Sequence, residues 1–252
     1  MMALMPDEVL ETVCPGFLHI DDCTEWDQKE ICLSKREDCC NRLVHGVVWL
    51  EDNADKELFW RHYENDYRYN SEKTVHVEQL IQDDKELRQC IREKKDNNLH
   101  LKLYITFQPC HHSGGGQNFE NEHKTSCTVS LLEYWQKVLD PLGIRFTIKC
   151  FGIYRAHWEE TTQFGKGSQA ARYQARAINA LNGLRLLLAA CKRSGGKLRL
   201  LAMEDRAEWT HLLSRTFGQH VVGNISEAYW EKRQVYDAKV KTFLEREFVQ
   251  IA

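Results

Sequence analysis

Apolar positions recur along the chain in two rhythms, and each rhythm predicts a kind of element. Residues 42–51 (RLVHGVVWLE) are rich in Val and Leu, and residues 57–63 (ELFWRHY) return after the turn-forming Asn53–Asp55, so the pair predicts a β-hairpin. Val77, Leu80, Ile81, Leu87 and Ile91 have helical spacing, which predicts one amphipathic helix over 75–95. Residues 100–107 (HLKLYITF) form an apolar strand that ends at Pro109-Cys110, and a loop rich in Gly, His and Asn follows over 111–126. Thr125 or Ser126 is placed to cap a helix that runs to Leu139 and stops at Pro141-Leu-Gly. Residues 144–154 (IRFTIKCFGIY) predict another strand. A long helix over 170–192 would bury Ala177, Ile178, Leu181, Leu184, Leu187 and Leu188. Residues 197–203 form a strand, 204–217 a helix and 227–248 a final helix.

This order alternates strands with helices, which predicts an α/β protein with a mixed sheet covered on both faces. Helical crossovers between the later strands make those strands parallel. Residues 1–41 carry no comparable rhythm beyond a short helix near 7–13, so they read as an acidic N-terminal extension before a domain spanning 42–252.

Composition narrows the function. At 252 residues and 42% hydrophobic content the chain can bury a substantial core, and no run approaches the length of a membrane span. Met1 to Pro15 lacks a basic start and is broken by Asp7, Glu8 and Glu11, so it does not read as a secretory signal; the expected compartment is the cytoplasm or nucleus. In that setting the ten cysteines are thiols or metal ligands rather than disulfides. Cys90, Cys150 and Cys191 lie in apolar stretches and read as core fillers, whereas Cys14, Cys23, Cys32, Cys39 and Cys40 match no zinc-finger spacing. The net charge is −3, but residues 151–200 hold nine Lys/Arg against two Asp/Glu, enough for a basic face on an acidic protein.

Candidate chemistry falls at the ends of three elements: His76-Val77-Glu78 at a helix start, Pro109-Cys110 at a strand end, and Cys127 in the first turn of the next helix. One imidazole and two thiolates suit a catalytic Zn2+ that keeps its fourth position for water. A helix N-terminus also favours the thiolate form of Cys127. Glu78 lies about 200° around the helix from His76, so it would not share the ion but could shuttle protons beside it. H-x-E followed by P-C-x-x-C is a known zinc-deaminase pattern. Here sixteen residues separate Cys110 from Cys127. His111, His112 and His123 lie in that insertion; they are read as solvent-exposed, with substitute ligation (His112 for Cys127 above all) or a second metal site as alternatives.

The chain resembles the activation-induced deaminase/APOBEC family. TVHVEQLIQ is similar to that family's H-V/A-E helix, and LYITFQPC to its strand ending in S-W-S-P-C. FTIKCFGIYRAHW looks like its fourth strand and following loop; LRLLAMEDRAEWTHLL and AYWEKRQVYDAKVKTFLEREF look like its fifth strand, next helix and last helix. The resemblance spans about residues 42–250 and implies a cytidine deaminase-like fold. That fold has five strands and about six helices, with the fourth and fifth strands parallel and joined by a long helix. It implies deamination of cytosine in single-stranded DNA or RNA, of the kind that serves nucleic-acid editing and innate immunity, by a monomer or weak oligomer. By position, Tyr154 would stack on the flipped base, Phe107 would stand where the family has Trp, and Asn70 would hold the sugar. Arg155, His157 and Trp158 would line the loop that reads the neighbouring base, and Trp60 and His62 would border the groove. Two rival readings are a free cytidine or nucleotide deaminase, and a zinc-stabilised nucleic-acid-binding protein with little turnover.

Overall fold

A computed structural model describes residues 43–66, 76–95, 98–111, 126–153 and 168–251. The expected extension at 1–41 lies outside them. Strand β1 (Leu43–Glu51) and strand β2 (Glu57–Asp66) form the expected hairpin, with β2 three residues longer than its apolar pattern suggests. Its turn is held by Asp52, whose Oδ1 accepts from the Ala54 and Lys56 amides, while Asp55 takes a left-handed φ of 57°. Helices α1 (Val77–Asp83) and α2 (Lys85–Lys94) lead to β3 (His100–Phe107). Helix α3 (Cys127–Tyr134) continues through a π turn at Trp135–Leu139 and a 3-10 turn at Asp140–Leu142, and Gly143 ends the run with φ 69°. Strand β4 (Arg145–Gly152), the 26-residue α4 (Ser168–Arg193), β5 (Leu198–Leu201), α5 (Arg206–Phe217), α6 (Gln219–Gly223) and α7 (Glu227–Gln250) complete the described chain.

The sheet order is β2-β1-β3-β4-β5. The β1–β2 and β1–β3 pairs are antiparallel; β3–β4 and β4–β5 are parallel. This is the expected five-stranded mixed sheet, with α4 as the link between the parallel β4 and β5. Seven helices flank it among the described residues, where about six were expected: the helix predicted over 75–95 is two, and the sequence pattern passes over the short α6.

Alternation along the strands sorts the core into two layers. Val48 and Leu50 of β1, Leu101, Leu103 and Ile105 of β3, and Ile148 and Cys150 of β4 join Val77, Ile81, Leu131 and Leu184 in one apolar cluster under α1 to α4. Val47, Tyr104 and Phe151 join Trp209, Leu212, Leu213, Tyr229 and Trp230 in the other, under α5, α6 and the start of α7. Each fully buried aliphatic side chain is worth about 1.5–3 kcal/mol relative to leaving it in water, so these two layers supply the main driving force.

Two expectations need correction. The helix predicted over 75–95 is broken at Asp84, which takes an extended backbone (φ −66°, ψ 112°). Its Oδ1 accepts from the Glu86 and Leu87 amides, and its Oδ2 accepts from the Tyr63 hydroxyl and the Arg61 guanidinium. The cap and the two partners from β2 together outweigh helix continuity. On α4 the buried stripe is Ala180, Leu184, Leu187, Leu188 and Ala190, whereas Ile178 is 51% exposed. The side chain of Ala177 lies outside the description.

Candidate metal centre

Three elements bring the candidate ligands together. Cys110 follows β3 immediately after the buried Gln108 and Pro109. Cys127 opens α3, and Ser126 caps that helix by accepting from the Val129 amide. The N-terminus of α3 is clipped directly to the end of β3. The Thr128 amide and the Ser126 hydroxyl both donate to the Cys110 carbonyl, at 3.0 and 3.1 Å, and the Thr128 hydroxyl donates to the Pro109 carbonyl at 3.0 Å. Sixteen intervening residues therefore do not separate the two sulfurs: the clip is made by residues on either side of the insertion. His76 is the N-cap of α1, and its amide donates to the Gln79 side-chain oxygen.

His76 Nδ1 lies 3.0 Å from Cys127 Sγ and 3.5 Å from Cys110 Sγ. The three ligand atoms all fall within 4.8 Å of one another. Tetrahedral coordination with Zn–S near 2.3 Å and Zn–N near 2.0–2.1 Å puts ligand atoms about 3.5–3.8 Å apart. The observed separations come within about half an ångström of that, so the group can hold a metal ion, and its thiolate-rich donor set fits zinc. His111 is not part of the group: its Nδ1 lies 2.9 Å from Ser126 Oγ, and the ring is half-buried rather than solvent-exposed. His112 and His123 lie outside the described residues.

Glu78 sits two residues on from His76, in the first turn of α1, with 4% of its surface exposed, and its carboxyl group hydrogen-bonds the Cys127 sulfur. Burial first, then the negative charge of Cys110, push its pKa up to about 7. The Cys127 thiol is pushed up by its hydrogen bond to Cys110, by burial and by the Glu78 charge. The Glu78 carboxyl group and the two cysteine sulfurs crowd one another, and a divalent cation would relieve their repulsion.

Phe107 is half-buried at the last position of β3, paired with Gly152 on β4. A Cβ at Gly152 would meet the Phe107 ring at 3.5 Å and the Tyr236 hydroxyl at 3.0 Å, so the glycine leaves room for both. Asn70, Tyr154, Arg155, His157 and Trp158 lie outside the described residues. Trp60 and His62 are not on the face that carries α1. They pack against His211 and Phe217 of α5 on the opposite side of the sheet. Part of the basic 151–200 segment is also engaged: Arg185 pairs with the buried Glu247, and Lys197 with Asp140.

Two supporting residues escaped the sequence reading. Thr128 is fully buried and its hydroxyl is the clip to Pro109. Gly183 lets α4 pass close to His111 and Thr128, beside Cys110 and Cys127, since a Cβ there would lie 2.3 Å from His111 Cβ and 3.0 Å from Thr128 Oγ1. A glycine inside a 26-residue helix was the available signal, because it costs about 1 kcal/mol relative to Ala there.

The chain matches no protein-family model and no curated protein. Among the described residues, no helix is long and apolar enough to cross a membrane.

Proposed function

We propose that the chain is a zinc-dependent hydrolytic deaminase that converts cytosine to uracil in single-stranded nucleic acid, on a cytidine deaminase-like fold. The observation that carries this reading is the convergence of His76, Cys110 and Cys127 with a buried carboxyl group beside them. Such a donor set leaves one coordination position for water, and a carboxyl group in contact with a ligand sulfur stands where that water's protons must go.

Zinc, when bound there, would act as a Lewis acid and bring the acidity of water close to neutral. His76, Cys110 and Cys127 would hold the ion. Glu78 would take a proton from the attacking water, pass it to N3 of the ring, and later deliver a proton to the departing amine. Water thus supplies the new C4 oxygen and ammonia leaves. Val77 and the apolar layer beneath α1 keep bulk water away from the carboxyl group. Phe107 would form one wall of the base pocket, with the residues expected from the resemblance on the loop after β4. The parallel β4–β5 pair joined by α4 favours a polynucleotide over a free nucleoside, since the resemblance attaches that arrangement to polymeric substrates.

The test uses the full chain loaded with zinc. It should convert a cytosine-containing single-stranded oligonucleotide faster than cytidine, and Glu78→Ala should keep its zinc and lose turnover. Zinc-loaded protein that deaminates neither substrate would support the binding-protein reading, and preference for cytidine would support a nucleoside enzyme.

A further inference from the structure

A second cluster of metal-ligating side chains lies away from this centre, on the opposite face of the sheet. His45 on β1 is directly paired with Glu64 on β2, and Val47 is paired with His62. Strand alternation therefore puts His45, His62 and Glu64 on one face, one pair directly across and one on the diagonal. His45 is buried, His62 half-buried and Glu64 exposed. The two ring planes lie within 16° of parallel and meet edge to edge, with centroids 5.2 Å apart and His45 Nδ1 3.0 Å from His62 Nε2. Both nitrogens and a carboxylate oxygen of Glu64 fall within 4.8 Å of one another.

We propose that His45 Nδ1, His62 Nε2 and the Glu64 carboxylate form a second metal site, which takes a divalent ion of the zinc, cobalt and nickel class. Two nitrogens in a tetrahedral zinc site are about 3.3 Å apart, so the imidazoles must part by a few tenths of an ångström and turn until both lone pairs meet the ion rather than each other. Two imidazoles and one carboxylate favour such ions over calcium or magnesium, which want oxygen, and over copper(I), which wants sulfur. The proton between the rings need not leave the protein. His45 as the Nε2–H tautomer and His62 as the Nδ1–H tautomer each present a lone pair to the ion while staying neutral.

The position gives the ion a structural task. The tight turn at Asp52–Lys56 closes one end of the β1–β2 hairpin. His45 and Glu64 are the third pair from the other end, after Leu43 with Asp66 and Val44 with Asn65. Since β2 is the outermost strand of the sheet, an ion here would fasten its open end to β1.

The test strips the full-length protein of metal under native conditions, titrates it with Zn2+, and counts bound equivalents in the wild type, His62→Gln and Glu64→Gln. Each variant should bind one equivalent fewer than the wild type. Glu64→Gln alters an exposed side chain, so it reads the site even if His62→Gln perturbs folding. In a parallel Co2+ titration, thiolate-to-cobalt charge-transfer absorption should be unchanged in both variants, while one set of ligand-field bands without sulfur character should disappear. That absorption reports thiolate ligation, as at Cys110 and Cys127, and not the His45, His62 and Glu64 group, so failure of either site is seen separately. Equal zinc equivalents in the wild type and both variants would overturn the proposal and leave the pair of rings as a plain hydrogen bond.

Discussion

Gly46→Ala gives a sharp test of how tightly α1, the helix that follows His76, is seated. A Cβ at position 46 would lie 2.3 Å from Val77 Cγ1 and 3.7 Å from Ile81 Cδ1 and Leu103 Cδ1. Carbon atoms at rest are about 3.5–4.0 Å apart, so something must move by more than an ångström. Val77 cannot simply turn aside, because a β-branched side chain in a helix has one strongly preferred χ1. Two effects compete. Removing glycine from a strand would stabilise the fold by about 0.4–1 kcal/mol if the space were open; overpacking costs about 1–3 kcal/mol. The clash decides the sign, so Gly46→Ala should destabilise by about 1–2 kcal/mol in urea unfolding. Val77 follows His76, so a displaced α1 also displaces the imidazole, whereas metal–ligand distances tolerate about 0.2 Å. Zinc should therefore pass to a competing chelator more readily. Val77→Ala removes the obstructing methyl groups. In that background Gly46→Ala should be neutral or slightly stabilising, giving a coupling of about 1–3 kcal/mol. Additive effects, or a stabilising Gly46→Ala in the wild type, would refute the close seating.

Arg233 is fully buried, donates to Asp237 and to the Phe151 carbonyl, and stacks over Trp209 and Tyr236. Arg233→Met leaves Asp237 buried with only Trp209 Nε1 as donor partner in the pair and should cost about 3–5 kcal/mol, while Arg233→Met with Asp237→Leu should cost far less in the same unfolding assay. Burial raises the Asp84 pKa, but the Tyr63 hydroxyl, the Leu87 amide and Arg61 outweigh it and hold the carboxyl group below its ordinary range. A depressed folded-state pKa contributes stability above the unfolded value near 3.9 and loses it as pH falls toward the folded value. Stability should thus decline below about pH 4, and Asp84→Asn should lower it at neutral pH while flattening that decline. Thr128→Val removes the hydroxyl donor to the buried Pro109 carbonyl at nearly constant volume, and should cost about 1–3 kcal/mol and hasten zinc loss to a chelator.

Local patterns made much of the fold legible. Five strands and the long helix before β5 follow from apolar spacing, since period two and period 3.6 report directly on which face is buried. What failed was decided by partners distant in sequence. Asp84 breaks a good helical pattern because Arg61 and Tyr63 arrive from β2, and Ile178 is exposed although its spacing fits, since neighbouring elements cover α4 along Ala180 and Leu184 instead. The candidate ligands His76, Cys110 and Cys127 were legible from their places at element ends, and their meeting depends on the Thr128 and Ser126 clip, which no spacing rule encodes. His45, His62 and Glu64 become a group only once the β1–β2 register is known.

Diffraction from crystals of the zinc-loaded protein, collected on both sides of the zinc absorption edge, tests the central claim most directly. An anomalous peak is predicted about 2.3 Å from the sulfurs of Cys110 and Cys127 and about 2.0–2.1 Å from His76 Nδ1, with the Glu78 carboxyl group beside it. A peak ligated by His111 or His112 in place of Cys127, or no peak between the two sulfurs in protein that has bound zinc, would contradict it.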